Sequence, residues 1–131
     1  MIEGGTHVEW SPTVHYLRDV LFPLLSKIGI KTSLEIDRWG WYPGGGGSVC
    51  LHIEPAKRLS PIDITERGKL TRITALSAVS NLPLSIAERQ RDRALRLLQE
   101  KGLDAEIEIV EAPSPGKGTL FFMLTEFDNI R

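Results

Sequence analysis

The chain has 131 residues, of which 41% are hydrophobic and 25% charged, and its formal net charge at pH 7 is −1. This length fits one ordinary domain or two small modules of a folded globular protein, and the charge excludes a basic surface spread over the whole molecule. The single cysteine excludes a disulfide framework, and the apolar stretches fall short of the ~18 residues of a membrane span, so we expect a cytoplasmic protein with no membrane partner.

The first predicted element is an amphipathic helix. Residues 4–13 read as a loop that leads into it, with Ser11 as the N-cap and Pro12 at the first helical position. Apolar residues then recur at spacings of three and four: Val14, Leu17, Val20, Leu21, Leu24, Leu25 and Ile28. Gly29 follows as a stop signal, and Pro23 predicts a kink within the helix.

Two strands follow the helix. Residues 30–38 and 48–54 both alternate apolar and polar side chains, which predicts strands with one buried face, and Cys50 is expected to be a buried small hydrophobe. The segment between them contains Gly44 to Gly47, too many glycines for a two-residue turn, so a longer hairpin loop is favoured. A phosphate-binding loop is the weaker alternative, because the glycines lie between strands and do not open a helix.

The second half of the chain predicts a separate module. A proline-flanked basic segment, Pro55 to Pro61, is interpreted as a linker. Beyond it we predict a strand over 69–80, a helix over 84–101 that Gly102 ends, and strands over 104–111 and 119–126. The order strand, helix, strand, strand indicates an α+β fold with the helix on one sheet face.

Aromatic side chains concentrate in the first module. Trp39, Trp41 and Tyr42 lie beside Arg38, and Trp10 precedes the helix. Aromatic rings next to an arginine can stack on the bases of single-stranded nucleic acid, but packing at the ends of strands is the favoured interpretation.

Histidines and charged residues give no clear catalytic pattern. His7, His15 and His52 do not have the spacing of a metal site, and both His15 and His52 are expected at the surface. Residues 88–101 interleave arginine and lysine with acids, which is typical of a solvated helix face. A phosphate-binding surface on this helix is the less favoured alternative.

Five short strings, in this order and spacing, resemble the RNA 3'-terminal phosphate cyclase family over nearly the whole chain. They are GGTHVEWSPTVHYL at 4–17, FPLLSKIGI at 22–30, RWGWYPGGGGSV at 38–49, ERG at 66–68 and IAER at 86–89. The resemblance implies an α+β fold in which residues 1–57 are part of a large domain of βαβαββ repeats, contributing a helix and two strands. Residues 58–131 would then be the small βαββ domain inserted into it.

The resemblance also implies an activity. Members of the family use ATP, with a divalent metal expected to be Mg²⁺, to convert an RNA 3'-phosphate into a 2',3'-cyclic phosphate through enzyme-AMP and RNA-AMP intermediates. By motif position, Pro12 matches a proline that lines the adenine pocket, and Tyr16 follows it. Arg38 and Arg67 could face RNA phosphates, although a structural ion pair is at least as plausible for each. Two residues depart from the family pattern. His15 stands at a position where acidic residues are common in the family, and Trp39 also differs from the family motif.

No histidine here matches the family's nucleophile, which the resemblance places outside these residues. We therefore expect an internal piece of the enzyme that is inactive alone, with no catalytic residue and no metal ligand in this chain. The alternatives are a non-catalytic cyclase-like protein in ribosomal RNA processing and a stand-alone RNA-binding module. Because a partial repeat exposes sheet edges, the isolated chain is expected to form homo-oligomers or to exchange strands.

Overall fold

The computed structural model describes residues 1–129. The chain divides into two compact units: residues 1–65 with 113–116 form the first, and residues 66–112 with the segment from Lys117 onward form the second. Each unit contains one three-stranded sheet. No helix within the described residues is long and apolar enough to cross a membrane. The predicted α+β class is confirmed.

The first unit is built on an antiparallel sheet in the order β1-β3-β2. Strands β2 (Thr32–Arg38) and β3 (Gly47–Ile53) confirm the predicted hairpin, and a register irregularity falls between Ile36 and Arg38. Strand β1 (Ile2–Gly4) was not predicted. Its three residues carry no alternating pattern, and only their pairing with β3 makes them a strand.

The predicted helix is present, but its start and its middle differ from expectation. It consists of α1 (Val14–Tyr16), a π-helical turn (Leu17–Leu21) and α2 (Phe22–Lys27). The prediction of Ser11 as N-cap and Pro12 as first helical residue was wrong. Thr13 caps the helix, because its extended backbone lets its hydroxyl accept the Tyr16 N–H.

A π-helical turn lies immediately before the proline of this helix. The Phe22 N–H bonds to the Leu17 carbonyl, a step of five residues in place of the usual four. Pro23 has no N–H to donate, and its ring crowds the carbonyl four residues earlier. The wider turn is therefore where the helix accommodates Pro23, and Gly29, with φ +100°, follows the helix end as predicted.

The second unit confirms the predicted order of strand, helix, strand, strand. It comprises β4 (Leu70–Ser80), α3 (Ser85–Gln99), β5 (Glu106–Glu111) and β6 (Gly118–Phe127). The sheet order is β5-β4-β6, with β4 parallel to β5 and antiparallel to β6. Helix α3 packs on one face of β4, where the buried Ser77 hydroxyl donates to the Ala87 carbonyl at 2.9 Å.

Candidate functional site

A buried cluster of four rings joins the N-terminal loop, the start of the helix and the hairpin loop of the first unit. His7, His15, Trp39 and Trp41 are 4%, 3%, 6% and 8% exposed. His7 stacks on Trp39 with ring centroids 4.1 Å apart, and the rings of His15 and Trp39 meet edge to face at 4.7 Å. Trp41 lies 4.9 Å from His7. These four rings, here called the His–Trp cluster, are a polar and aromatic core in which each histidine requires hydrogen-bond partners.

A chain of hydrogen bonds runs through the His–Trp cluster. The Thr6 hydroxyl accepts the Gly40 N–H at 2.8 Å and lies 2.8 Å from His7 Nδ1. His7 Nε2 lies 3.0 Å from His15 Nδ1, so one of these two nitrogens carries the shared proton. If the Thr6 hydroxyl donates to His7 Nδ1, then His7 Nε2–H donates to His15 Nδ1 and both imidazoles are neutral.

Burial keeps both histidines uncharged at neutral pH. It is the main cause that lowers the pKa of His7 from 6.5 to about 3, and the nearby His15 adds to the effect. Burial also lowers the pKa of His15 to about 4; Arg18 lowers it further, and Asp19 partly offsets this. The pair is therefore a neutral hydrogen-bonded unit between pH 5 and 8.

Backbone hydrogen bonds fix the loop that carries the cluster. The N–H groups of Thr6 and His7 both donate to the Gly40 carbonyl at 2.9 Å, and the Val14 N–H donates to the Thr6 carbonyl at 3.2 Å. The Trp39 N–H donates to the Pro113 carbonyl at 2.8 Å. The start of the helix and the hairpin loop are consequently held to the same short segment, residues 6–7.

The predicted adenine-binding residues lie where this anchored loop meets the helix. Pro12 is exposed in the extended segment before Thr13, and Tyr16 is 42% exposed at the end of α1. Tyr16 directly follows the buried His15, so the cluster fixes the backbone from which its ring projects. Trp10, with φ +64°, is fully exposed in the same loop.

The hairpin loop between β2 and β3 folds back on itself. The Gly45 N–H donates to the Trp41 carbonyl at 2.7 Å, and Arg38 Nε donates to the Gly46 carbonyl at 2.6 Å. Gly45 and Gly46 have φ of +64° and +72°, which glycine adopts without strain. The interpretation as a longer hairpin loop is confirmed.

The two predicted RNA-binding arginines belong to different units. Arg38 is exposed in the first unit, where it holds the hairpin loop. Arg67 is exposed in the second unit, and its guanidinium carbon lies 4.4 Å from the ring centroid of Phe127, a cation–π contact. Neither arginine makes an ion pair with an acidic side chain of residues 1–129.

Two expectations about single residues were wrong. His15 was expected at the surface, but the helix turns it inward onto His7. Cys50 was expected to be buried, but it is exposed, because alternation along β3 buries Val49 and turns Cys50 to the opposite face with the exposed His52. For Trp39 and Trp41 the packing interpretation is confirmed, whereas Trp10 and Tyr42 are exposed.

The His–Trp cluster itself was not predicted. His7 and His15 are eight residues apart, and no periodic pattern relates a loop residue to a helix residue. A weak signal was available in the composition, since a histidine at an otherwise apolar-periodic helix start has to find a polar partner if it is buried. Within residues 1–129 no group of three histidine, cysteine, aspartate or glutamate side chains could hold a metal ion.

Comparison with known proteins gives one consistent result. The family model described as RNA 3'-terminal phosphate cyclase matches residues 1–98. The chain is 38% identical over 130 residues to the RNA 3'-terminal phosphate cyclase of Gloeothece citriformis, covering 99% of this chain and 37% of that protein. It is 41% identical over 119 residues to the protein of the same name from Methanothermobacter thermautotrophicus, covering 90% and 35%. The chain thus spans little more than a third of the length of these relatives.

Proposed function

Because the chain belongs to the RNA 3'-terminal phosphate cyclase family, we propose that it forms part of an enzyme that converts an RNA 3'-phosphate into a 2',3'-cyclic phosphate. ATP is the co-substrate in this proposal. AMP is first transferred to the enzyme with release of pyrophosphate, and then to the RNA 3'-phosphate. The neighbouring 2'-hydroxyl attacks the activated phosphorus, and AMP leaves as the ring closes.

The role proposed for this chain is to hold the adenine of ATP. The observation that supports it is that Pro12 and Tyr16 are exposed next to a segment whose backbone the His–Trp cluster fixes from beneath. A proline ring and the face of a phenol ring both pack on a flat base through apolar atoms, so the contact itself needs no polar partner. A rigid support lowers the entropy cost of binding, because the backbone that carries these rings is already fixed.

Two arginines are proposed to face RNA phosphates. Arg38 is exposed and uses Nε to hold the Gly46 carbonyl, which orients its guanidinium at the hairpin loop. The guanidinium of Arg67 lies over the Phe127 ring, and an arginine stacked in this way is less free to move. A planar guanidinium that is held in one orientation suits recognition of a phosphate.

No residue of this chain is proposed as the nucleophile or as a metal ligand. His7 and His15 are buried and hydrogen-bonded to each other, so neither imidazole can approach a phosphorus atom without breaking the cluster. If Mg²⁺ accompanies ATP in this enzyme, no group of three or more histidine, cysteine, aspartate or glutamate side chains among the described residues would hold it. The AMP-accepting residue is expected elsewhere in the enzyme.

The adenine proposal is tested by nucleotide binding. We expect AMP to bind the chain, and Tyr16→Ala to weaken this binding by the ~1–3 kcal/mol that aromatic stacking on a base supplies. Tyr16→Phe should retain the affinity, since it keeps the ring and removes only the hydroxyl. Isothermal titration calorimetry measures all three.

Tyr42→Ala is the matched control, because Tyr42 is also an exposed tyrosine of the first unit, at 74%. It should leave AMP affinity unchanged. Equal losses for Tyr16→Ala and Tyr42→Ala would contradict the assignment. Incubation with labelled ATP and Mg²⁺ should leave no covalent label on the chain; a label on any histidine would show that the nucleophile assignment is wrong.

A further inference from the structure

The second unit contains a groove between helix α3 and strand β6, with a volume of about 640 Å³. Ten residues line it: Ile86, Arg89, Gln90, Arg93, Ala94, Leu97, Leu98, Lys101, Phe121 and Met123. The lining includes three cations and no acidic residue. In a chain whose net charge is −1, this is a local concentration of positive charge.

The three cations come from one side of the groove. Arg89, Arg93 and Lys101 are all exposed, and they lie on one face of the helix and its C-terminal turn, spanning roughly 18 Å at the rise of an α-helix. None of the three forms an ion pair with an acid in the part of the chain that the structure describes. By contrast, Arg91 on the same helix pairs with Asp92 at 2.8 Å.

The floor and the opposite side of the groove are apolar. Leu97 is 41% exposed and Met123 is 37% exposed, which is high for large apolar side chains that face each other across a groove. Phe121 adds an aromatic ring from β6. Arginine stems of this length can cover such an apolar surface while their charged ends stay in water.

We propose that this groove binds a segment of single-stranded RNA, with the phosphates along the α3 side and the bases against Leu97, Phe121 and Met123. The choice of RNA rests on the proposed function. The asymmetry of the groove supports it, because a nucleic-acid strand presents charge along one edge and flat apolar faces along the other. An acidic amphipathic helix would carry acids on both flanks of its apolar stripe, but the β6 side of the groove offers no cation.

The test is binding of a fluorescently labelled RNA of about twelve nucleotides, measured by anisotropy at several salt concentrations. We expect Arg89→Glu with Arg93→Glu to weaken binding at least tenfold. The slope of log affinity against log salt should fall by about 1.4, the value for loss of two contacts to a single strand. Arg89→Gln with Arg93→Gln should give the same change in slope with less perturbation of the helix.

Arg91→Glu with Arg96→Glu is the matched control, since it makes the same change of charge on the same helix outside the groove. It should change affinity less than twofold. If both double variants weaken binding equally, the effect is one of overall charge and the proposal fails. Leu97→Ala with Met123→Ala should weaken binding roughly three- to tenfold without changing the salt slope, because it removes only base contacts.

Other occupants give different results. If an acidic amphipathic peptide displaces the RNA and depends more strongly on Leu97 and Met123, the groove is a protein-binding site. If self-association of the chain disappears in the Leu97→Ala, Met123→Ala variant, the groove is an interface between copies. Either result overturns the proposal.

The test of RNA binding in the groove can also be separated from the test of the proposed cyclase function. RNAs ending in a 3'-phosphate and in a 3'-hydroxyl should bind the groove equally, because the contacts are to internal nucleotides. Loss of groove binding leaves the dependence of AMP binding on Tyr16 intact. Conversely, failure of the Tyr16 test leaves the RNA titrations with the α3 variants unaffected.

Discussion

The His7–His15 pair shows how a single buried hydrogen bond can make a small unit sensitive to acid. The two imidazoles are nearly inaccessible, share one proton across 3.0 Å, and pack against Trp39. Protonation of either one places a charge in this environment, beside the other imidazole and, for His15, near Arg18. Asp19 favours the charged form of His15 and partly offsets these effects. Protonation of either ring therefore destabilises the cluster.

The first prediction is that acid destabilises the first unit in a defined pH window. Folding lowers the pKa of His7 from 6.5 to about 3 and the pKa of His15 from 6.5 to about 4. Between pH 6.5 and these lowered values, the unfolded chain therefore binds more protons than the folded chain. Stability is fully present above pH 6.5 and is lost as pH falls toward 4. At pH 5 the expected loss is about 2 kcal/mol for each histidine. Urea unfolding followed by tryptophan fluorescence at pH 7.5 and pH 5 measures it.

The double variant His7→Gln, His15→Asn keeps a donor and an acceptor in place of the shared pair but cannot titrate. Its unfolding free energy should vary much less between pH 7.5 and pH 5 than that of the unmodified chain. His52→Gln, at an exposed histidine, should leave the pH dependence as it was. A pH dependence that persists in the double variant would show that other groups cause it.

At the scale of elements, the sheet and the hairpin loop of the first unit are joined by close backbone contacts. A Cβ built on Gly40 would lie 2.3 Å from the Gly4 carbonyl oxygen and 2.4 Å from the Gly47 nitrogen. Both are backbone atoms, which cannot turn away as a side chain can. Gly40 also accepts two N–H bonds through its carbonyl. Its position therefore requires glycine for lack of space, although its φ is not in the left-handed region.

The second prediction is that Gly40→Ala unfolds or strongly destabilises the first unit. The added methyl group must displace strand β1 or β3, so we expect a loss of roughly 3 kcal/mol or more. Gly44→Ala is the control in the same loop, because no atom lies within 4 Å of the added Cβ and the backbone is not left-handed. It should be neutral or slightly stabilising. Equal unfolding midpoints for the two variants would contradict this account of the loop.

At the scale of the whole molecule, the outer strands of both sheets leave edges at which another copy of the chain can pair. In the first unit β1 and β2 are the outer strands, and in the second unit β5 and β6 are. An outer strand presents unpaired N–H and carbonyl groups along one side, and these can pair with another chain. The seven-residue β2 is the longer outer strand of its sheet.

The third prediction is that the isolated chain self-associates through β2. Two copies would pair antiparallel along this strand around a two-fold axis. A lysine on an exposed edge strand hinders pairing with another chain, so Ser33→Lys should weaken association, and light scattering over a range of concentrations measures this. A species that remains monomeric at high concentration, or association unaffected by Ser33→Lys, would refute the prediction.

Local patterns in the sequence were sufficient for most elements of both units. Alternation over residues 30–38 and 104–111, and helical spacing over 84–101, predicted strands and a helix close to their observed bounds. These signals are local because a strand or a helix buries one side at a fixed period. The motif strings likewise pointed to the family that the comparisons show. The roles of Pro12, Tyr16, Arg38 and Arg67 remain predictions from those strings.

What the sequence could not determine depends on contacts between distant residues. Strand β1 exists only because β3 pairs with it, and the helix begins at Val14 because the Thr13 hydroxyl reaches back to cap it. The burial of His15 required His7, eight residues earlier, as a partner. In the second unit, the groove beside α3 arises because β6 pairs with β4, the strand on which the helix packs, whereas helix periodicity alone indicated only a solvated charged face. Helices and strands follow from local repeats in the sequence. Polar clusters and grooves depend on which elements the tertiary fold brings together. The physical reason is that burying a polar side chain without a hydrogen-bond partner is costly, and only the tertiary fold supplies that partner.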